Sequence, residues 1–341
     1  MKAVGLTRYL PVDDPEALQD LQLSEPGPPQ GRDLLVRVQA ISVNPVDTKL
    51  RAPREGREES PRILGFDAAG VVDAVGPEVT AFMPGDTVYY AGDVTRPGCN
   101  AQWQWVDERL VGRQPTTLDA ADAAALPLTA LTAWELLFER MPLRFDDRHH
   151  AGQHLLVIGG AGGVGSIAIQ LARHAGFTVI ATASRDATRA WCTQMGADHV
   201  IDHRQPLLPQ LQALGIDQVE VVLNLADTDH YWDAIGDLLA PQGHVGLIVE
   251  PRGALRIGDP YKAKCIGIHW EFMFARARFR THDMIEQHRI LNRVASLLDA
   301  GELRSTAHTL LGPINAANLR EAHRRLETGE VIGKLVLSGW D

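Results

Sequence analysis

Residues 154–175, HLLVIGGAGGVGSIAIQLARHA, read as a buried strand, a glycine turn and a helix in immediate succession. Leu155 to Ile158 form the short apolar run that a parallel strand covered on both faces requires, and glycine ends it sharply. Gly160, Gly162 and Gly165 then give G-x-G-x-x-G. In that pattern one glycine permits the tight turn, one lets the backbone approach a pyrophosphate, and one lets the helix pack close against the strand. Val164, Ile167, Ala168, Leu171 and Ala175 recur at the spacing of one helix face. The first N–H groups of such a helix have no intrahelical partner and lie at the positive end of its dipole. They form a cradle for a diphosphate that needs no basic side chain. The uncharged run from Leu155 to Ala172 is long enough to suggest a membrane span, but the glycines and the strand-to-helix break inside it exclude that reading.

Around this stretch lies a chain of 341 residues, 45% hydrophobic and 22% charged, the profile of a globular protein with room for two domains. The opening MKAVGLTRYL carries no apolar signal-peptide core. Cys99, Cys192 and Cys265 are scattered, make no CxxC and suit a reducing compartment, so a cytoplasmic location is expected. A net charge of -10 argues against nucleic acid or an anionic membrane as partner.

Residues 1 to about 126 alternate apolar and polar side chains, clearly so in LLVRVQA at 34–40, and predict a β-rich first domain. The charge-dense segment 51–62 reads as a solvated loop, with a substrate lid as the functional alternative. From Pro127 a helical pattern begins. Strands are then predicted at 154–160, 178–184, 199–203, 219–226, 243–249 and 265–270, mostly separated by helices. That alternation implies an α/β doubly wound parallel sheet with ligand at the carboxyl ends of its strands. Helices at 282–299 and 316–327 and a strand at 334–338 follow, the last expected to return to the first domain. The nucleotide domain, 129–280, is thus expected as an insertion between 1–128 and 281–341, with the active cleft between domains.

At the end of the second strand of this sheet, where an acidic residue would take the ribose hydroxyls of NAD, the chain has Ala183, Ser184 and Arg185. A hydroxyl and a guanidinium accommodate a 2′-phosphate, so NADPH is the expected cofactor. Asp186 falls in the first turn of the next helix, and His203 either adds a contact to that phosphate or is a solvated strand-end histidine.

Several further strings carry a family resemblance: ISVNPVDTK at 41–49, LGFDAAG at 64–70, PGD at 84–86, LPLTALTAWE at 126–135, GGAGGVGS at 159–166 and GKLVL at 333–337. Across essentially its whole length the chain resembles the medium-chain dehydrogenase/reductase superfamily. Within it, the match is to the zinc-independent quinone oxidoreductase branch and the bacterial proteins called zinc-type alcohol dehydrogenase-like. The resemblance implies a GroES-like β-rich catalytic domain split around a Rossmann domain, NADPH as hydride donor, and a homodimer. It places Asn44 and Thr129 near the nicotinamide and ribose, Gly162, Gly163 and Val164 at the diphosphate, and Leu225, Ala226 and Lys334 along the cofactor.

Zinc-dependent relatives have cysteine where this chain offers Ser42 to Asn44, and Gly-His-Glu where it reads Gly65-Phe66-Asp67. Zinc needs three or four converging N or S ligands, so no zinc is expected. His149 and His150, after Asp146 and Asp147, read as a solvated loop. Without a Lewis acid to lower an alcohol's pKa, the favoured reaction is hydride transfer to an electrophilic quinone or α,β-unsaturated carbonyl. Asn44 can donate from its amide, and Asp47 and Lys49 share its segment. Lys49 could protonate or hydrogen-bond the acceptor oxygen, or simply pair with Asp47 in solvent. Trp270, Phe272 and Met273 suggest an aromatic wall for a flat acceptor, or core, or a dimer interface. The family places Asn100 near the cleft, and its neighbour Cys99 reads as passive. A cofactor-binding sensor without turnover and a zinc alcohol dehydrogenase remain as alternatives.

Overall fold

The computed structural model describes residues 1–146 and 148–341. It divides into two compact units: 1–131 with 274–341, and 132–273.

In chain order the strands are β1 (Lys2–Arg8), β2 (Gln19–Gln22), β3 (Asp33–Val43), β4 (Arg57–Ile63), β5 (Ala68–Val75), β6 (Thr87–Tyr90), β7 (Trp103–Asp107), β8 (Val111–Arg113), β9 (His154–Ile158), β10 (Thr178–Thr182), β11 (His199–Ile201), β12 (Val219–Asn224), β13 (Leu239–Leu247), β14 (Gly267–Trp270), β15 (Ala307–Leu310) and β16 (Lys334–Ser338).

The first unit is built on β3, which buries Leu34, Val36, Val38 and Ala40 at alternate positions and then Ile41, Ser42 and Val43 without a break. The main sheet runs β15-β16-β3-β5-β6-β8, with β7 also paired to β3, while β2-β1-β4 form a small antiparallel sheet. β16 does return here from the far end of the chain: Leu335 pairs with Val43 and Val336 with Ser42, which brings Lys334 beside Asn44. The segment 51–62 is a correction to the loop expectation. Its second half is β4, paired with β1. Arg51 is fully buried, donating to His323 Nδ1 at 3.2 Å, to the Leu10 carbonyl and to Glu327.

The second unit is one six-stranded, all-parallel sheet in the order β11-β10-β9-β12-β13-β14. Every predicted strand is present, and all but β14 end two residues earlier than the apolar patterns suggest. The residues left over, among them Gly160, Ser184, His203 and Ala226, form the loops at the carboxyl edge of the sheet. β9, the central strand, is buried from Leu155 to Ile158. Around it Leu156, Ile180, Val222, Trp232 and Leu247 belong to one apolar core. His150 is a second correction: it is buried, stacks on Phe177 at 4.3 Å, accepts from the Arg144 N–H at 3.0 Å and bonds Gln153. Asp147, beside it in sequence, lies outside the described residues. Among the described residues no helix is long and apolar enough to cross a membrane.

His323 sits in the helix Ala316–Glu327, and burial first and Arg51 second hold its pKa down at about 3. The unfolded chain therefore binds more protons than the folded one between about pH 3 and 6.5, so this group makes stability rise with pH across that window. In His323→Gln that contribution disappears. Urea unfolding at a series of pH values should show the difference between parent and variant growing from pH 3 to 6.5 and then levelling. Parallel curves would refute it.

Candidate active site

In the second unit the turn after β9 is shaped by glycine. Gly159 has φ +88°, and its N–H donates to Thr182 Oγ1 at 3.0 Å. Gly162 is the N-cap of the helix Gly163–His174 and offers no side chain to its first N–H groups, which are left for an anion. A Cβ on Gly165 would stand 2.4 Å from the Gly159 carbonyl oxygen, and one on Gly160 2.8 Å from Ala181 Cβ. Glycine is thus required at Gly165 by the backbone of the turn and at Gly160 by the neighbouring strand β10. Leu225 lies against the same turn, its N–H bonded to the Ile158 carbonyl, while Ala226 N–H bonds Asn224 Oδ1. These residues fit a bound diphosphate.

At the neighbouring strand ends, Arg185 is exposed as the N-cap of the helix Asp186–Met195, with Asp186 in the first turn as expected. His203 is half-buried; desolvation above all, and the charges of Arg204, Arg185 and His230, push its pKa down against the pull of Asp202. Arg204, which sequence reading passed over, pairs with Asp202 at 2.7 Å and reaches the Ser184 carbonyl at 3.2 Å. Ser184, Arg185, His203 and Arg204 therefore line one edge beside the glycine turn, where Arg185 and Arg204 stand among the carboxylates of Asp186 and Asp202.

On the other side of the sheet, β14 is an edge strand. Trp270 is 46% and Phe272 44% exposed, while Met273 is buried. Glu271 between them is buried with Glu135, both bonded to Arg140 at 2.8 and 3.0 Å in one π-helical turn, Leu136–Arg140. Burial and the Glu135 charge push the Glu271 carboxyl up, so the pair shares a proton.

The first unit gathers Asn44, Asp47, Asn100, Thr129 and Lys334 into its interior, all at 3% exposure or less. Their organiser is Asp67, which lies in the loop entering β5. One carboxylate oxygen accepts the Leu128 N–H at 2.7 Å; the other accepts Ser42 Oγ at 2.9 Å, Asn44 Nδ2 at 2.8 Å and Lys334 Nζ at 2.8 Å. Lys334 also donates to Asn44 Oδ1. The Asn44 amide is thereby spoken for: its hydrogens go to Asp67 and the Phe66 carbonyl, so it does not donate outward. Thr129 Oγ1 turns back to the Leu126 carbonyl, and Asn100 packs against Gly65, whose Cβ would fall 2.5 Å from Asn100 Oδ1.

Asp47 accepts the N–H of Asn44 at 2.8 Å and of Gly65 at 3.0 Å. Burial drives its carboxyl up to about 7, aided by Asp67 and opposed by those N–H groups and Lys334. Lys49 is exposed in the last turn of the helix Pro45–Arg51, away from that buried carboxylate. Residues two apart on a helix do not face one another, so Lys49 is neither buried nor paired with Asp47.

Cys99 is buried, its Sγ held at 3.3 Å from the Asp67 carbonyl, and burial pushes the thiol up. Asp67 was missed because it reads as a failed metal ligand; the available signal was an aspartate set inside the apolar run LGFDAAGVV.

A doubly wound parallel sheet interrupting a β-rich unit with a buried polar centre is an architecture used by oxidoreductases. Comparison with known proteins agrees. Residues 30–113 match the family model for an alcohol dehydrogenase GroES-like domain, and residues 195–337 that for a zinc-binding dehydrogenase. The chain is 40% identical over 338 residues to a zinc-type alcohol dehydrogenase-like protein of Staphylococcus aureus, covering 99% of this chain and 100% of the relative. A solved structure of a putative zinc-dependent alcohol dehydrogenase from Rhizobium etli is 49% identical, with TM-score 0.93 over 100% of this chain and 98% of that one. The quinone oxidoreductase of Coxiella burnetii is 27% identical, with TM-score 0.79 over 99% of both chains. The protein belongs to the medium-chain dehydrogenase/reductase superfamily, with its Rossmann sheet inserted into a GroES-like unit.

The zinc in those names finds no matching donor set. Around Asp67 the side chains are the hydroxyl of Ser42, the amide of Asn44 and the ammonium of Lys334, which already places a cation on the carboxylate, and Cys99 is a buried thiol bonded to a carbonyl. Among the described residues no group of three or more His, Cys, Asp or Glu converges to hold a metal.

The glycine turn yields a direct test. Gly165→Ala should cost about 1–3 kcal/mol through backbone overpacking and weaken binding of reduced cofactor, followed by nicotinamide fluorescence. Gly258→Ala, where a Cβ meets nothing within 4 Å, should change neither. Equal behaviour of the two variants would contradict this account.

Proposed function

We propose that the protein is an NADPH-dependent reductase that passes hydride to a quinone or α,β-unsaturated carbonyl without a catalytic metal. The observation that carries this reading is Lys334, a buried ammonium fixed between Asn44 and Asp67 where metal-dependent relatives would need soft ligands. An internal ion pair can fix the geometry that hydride transfer to a conjugated acceptor needs, but it lacks a metal's power to lower the pKa of an alcohol.

NADPH supplies the hydride when bound. The glycine turn holds its diphosphate, and Ser184, Arg185, His203 and Arg204 favour its 2′-phosphate. Asp47, near 7, can hold a proton inside the catalytic unit at neutral pH. Lys49, being exposed, serves at most as a solvent-side donor. The name of the Coxiella relative supports the quinone class.

The expected assay outcome is oxidation of NADPH by ortho- or para-quinones or an enone, unchanged by chelator, with NADH a poorer donor. Removing the charge in Arg185→Ala should cost roughly 10- to 100-fold in kcat/KM for NADPH, the range of one charge-assisted hydrogen bond, with little change for NADH. Chelator-sensitive aldehyde reduction would overturn the metal-free reading. Tight NADPH binding with no turnover of any acceptor would favour the sensor alternative.

We further propose a cytoplasmic homodimer, with a small molecule rather than nucleic acid or membrane as partner. Ile268, Trp270 and Phe272 lie exposed along edge strand β14, a surface that a second copy could cover. Light scattering should give twice the 37.3 kDa chain mass, and Trp270→Glu should shift it toward monomer. A monomeric parent would refute the dimer.

A further inference from the structure

A buried carboxylate that accepts four hydrogen bonds from three separate segments is a junction rather than a bystander. Asp67 joins the end of β3, through Ser42 and Asn44, to the start of the helix Pro127–Glu135, through Leu128, and to the start of β16, through Lys334. Its own carbonyl accepts the Ser42 N–H at 3.1 Å and the Cys99 thiol. Every polar residue expected to work in the catalytic unit is bonded to it or stands next to a residue that is, Lys49 excepted. Asn44 and Lys334 are bonded directly, Thr129 follows Leu128, Asn100 follows Cys99, and Asp47 reaches it through Asn44.

We propose that Asp67 is a positioning residue: its charge holds the Lys334 ammonium, the two together fix the Asn44 amide, and this internal ion pair does the orienting that a metal and its ligands do in other dehydrogenases. The proposal rests on the reductase reading for its effect on turnover, but not for its effect on Asp47. The ionised groups that face Asp47 are Asp67 and Lys334, of opposite sign, with the Cys99 thiol buried close by. Two amide N–H groups, of Asn44 and Gly65, complete its surroundings. Removing Asp67's charge leaves Lys334 unopposed, and removing Lys334's leaves Asp67 unopposed. The two changes must therefore move Asp47 in opposite directions, which general loosening of the fold cannot imitate.

The test follows the Asp47 carboxyl carbon by NMR across pH in the unliganded full chain. In Asp67→Asn the midpoint should fall from near 7 by at least about one pH unit, and in Lys334→Gln it should rise by a similar amount. In steady-state assays Asp67→Asn should lower kcat about 100-fold, the scale of a slight misplacement at a reacting centre, with partial recovery in Asp67→Glu and NADPH binding retained by the glycine turn. Should Asp67→Asn fail to fold, Lys334→Gln and Asp67→Glu carry the same comparison. Midpoints that stay put or move the same way overturn the proposal, as do opposite shifts with kcat unchanged. If the parent turns over no acceptor, the reductase reading fails, and the NMR midpoints still decide whether Asp67 and Lys334 govern this site.

Discussion

Burying a carboxylate without compensation is prohibitively costly, and the catalytic unit of this protein is arranged so that Asp67 is never uncompensated. Its partners are a hydroxyl, an amide, a backbone N–H and one ammonium, drawn from three separate segments of the unit. The charge balance is tight. With Asp47 close by, two carboxyl groups share one lysine, and it is the second carboxyl that holds a proton near neutrality. The same rule shapes the pair Glu135 and Glu271 around Arg140 in the other unit, where again one cation serves two acids.

The nucleotide-binding unit depends on a different constraint, the absence of side chains. Gly160 and Gly165 are required because β10 and the backbone of the turn itself occupy the space a Cβ would take. What the turn leaves open is a set of backbone N–H donors, fixed by the fold, with Arg185 and Arg204 at the neighbouring strand ends.

Local signals made the nucleotide-binding unit legible from sequence. Strand, glycine turn and helix follow one another within 154–175, and apolar runs located all six strands, with errors confined to the ends, where turn residues were read into the strands and β13 begins earlier than its apolar run. The catalytic unit was legible in class but not in wiring. Asn44, Asp47 and Lys49 invited joint reading because they are close in sequence, yet the helix buries Asp47 and turns Lys49 to solvent. The cation that does reach Asn44 is Lys334, 290 residues away, paired through a strand register that no periodicity announces. Arg51 and His150 misled for a related reason: charged and histidine-rich segments suggest solvent unless their buried partners, His323 and Phe177, are known.

The register that sets Lys334 beside Asn44 also imposes an order on how the molecule is made. Residues 132–273 form an uninterrupted stretch whose strands pair only with one another, and domains generally fold as units. The other unit must wait for β16, since until that strand docks, Asp67 has no countercharge and closing the polar centre would strand a bare anion in the interior. A chain in which β16 has yet to dock can therefore complete its parallel sheet but not its polar centre. Competence to react arrives last, with the strand that delivers the cation.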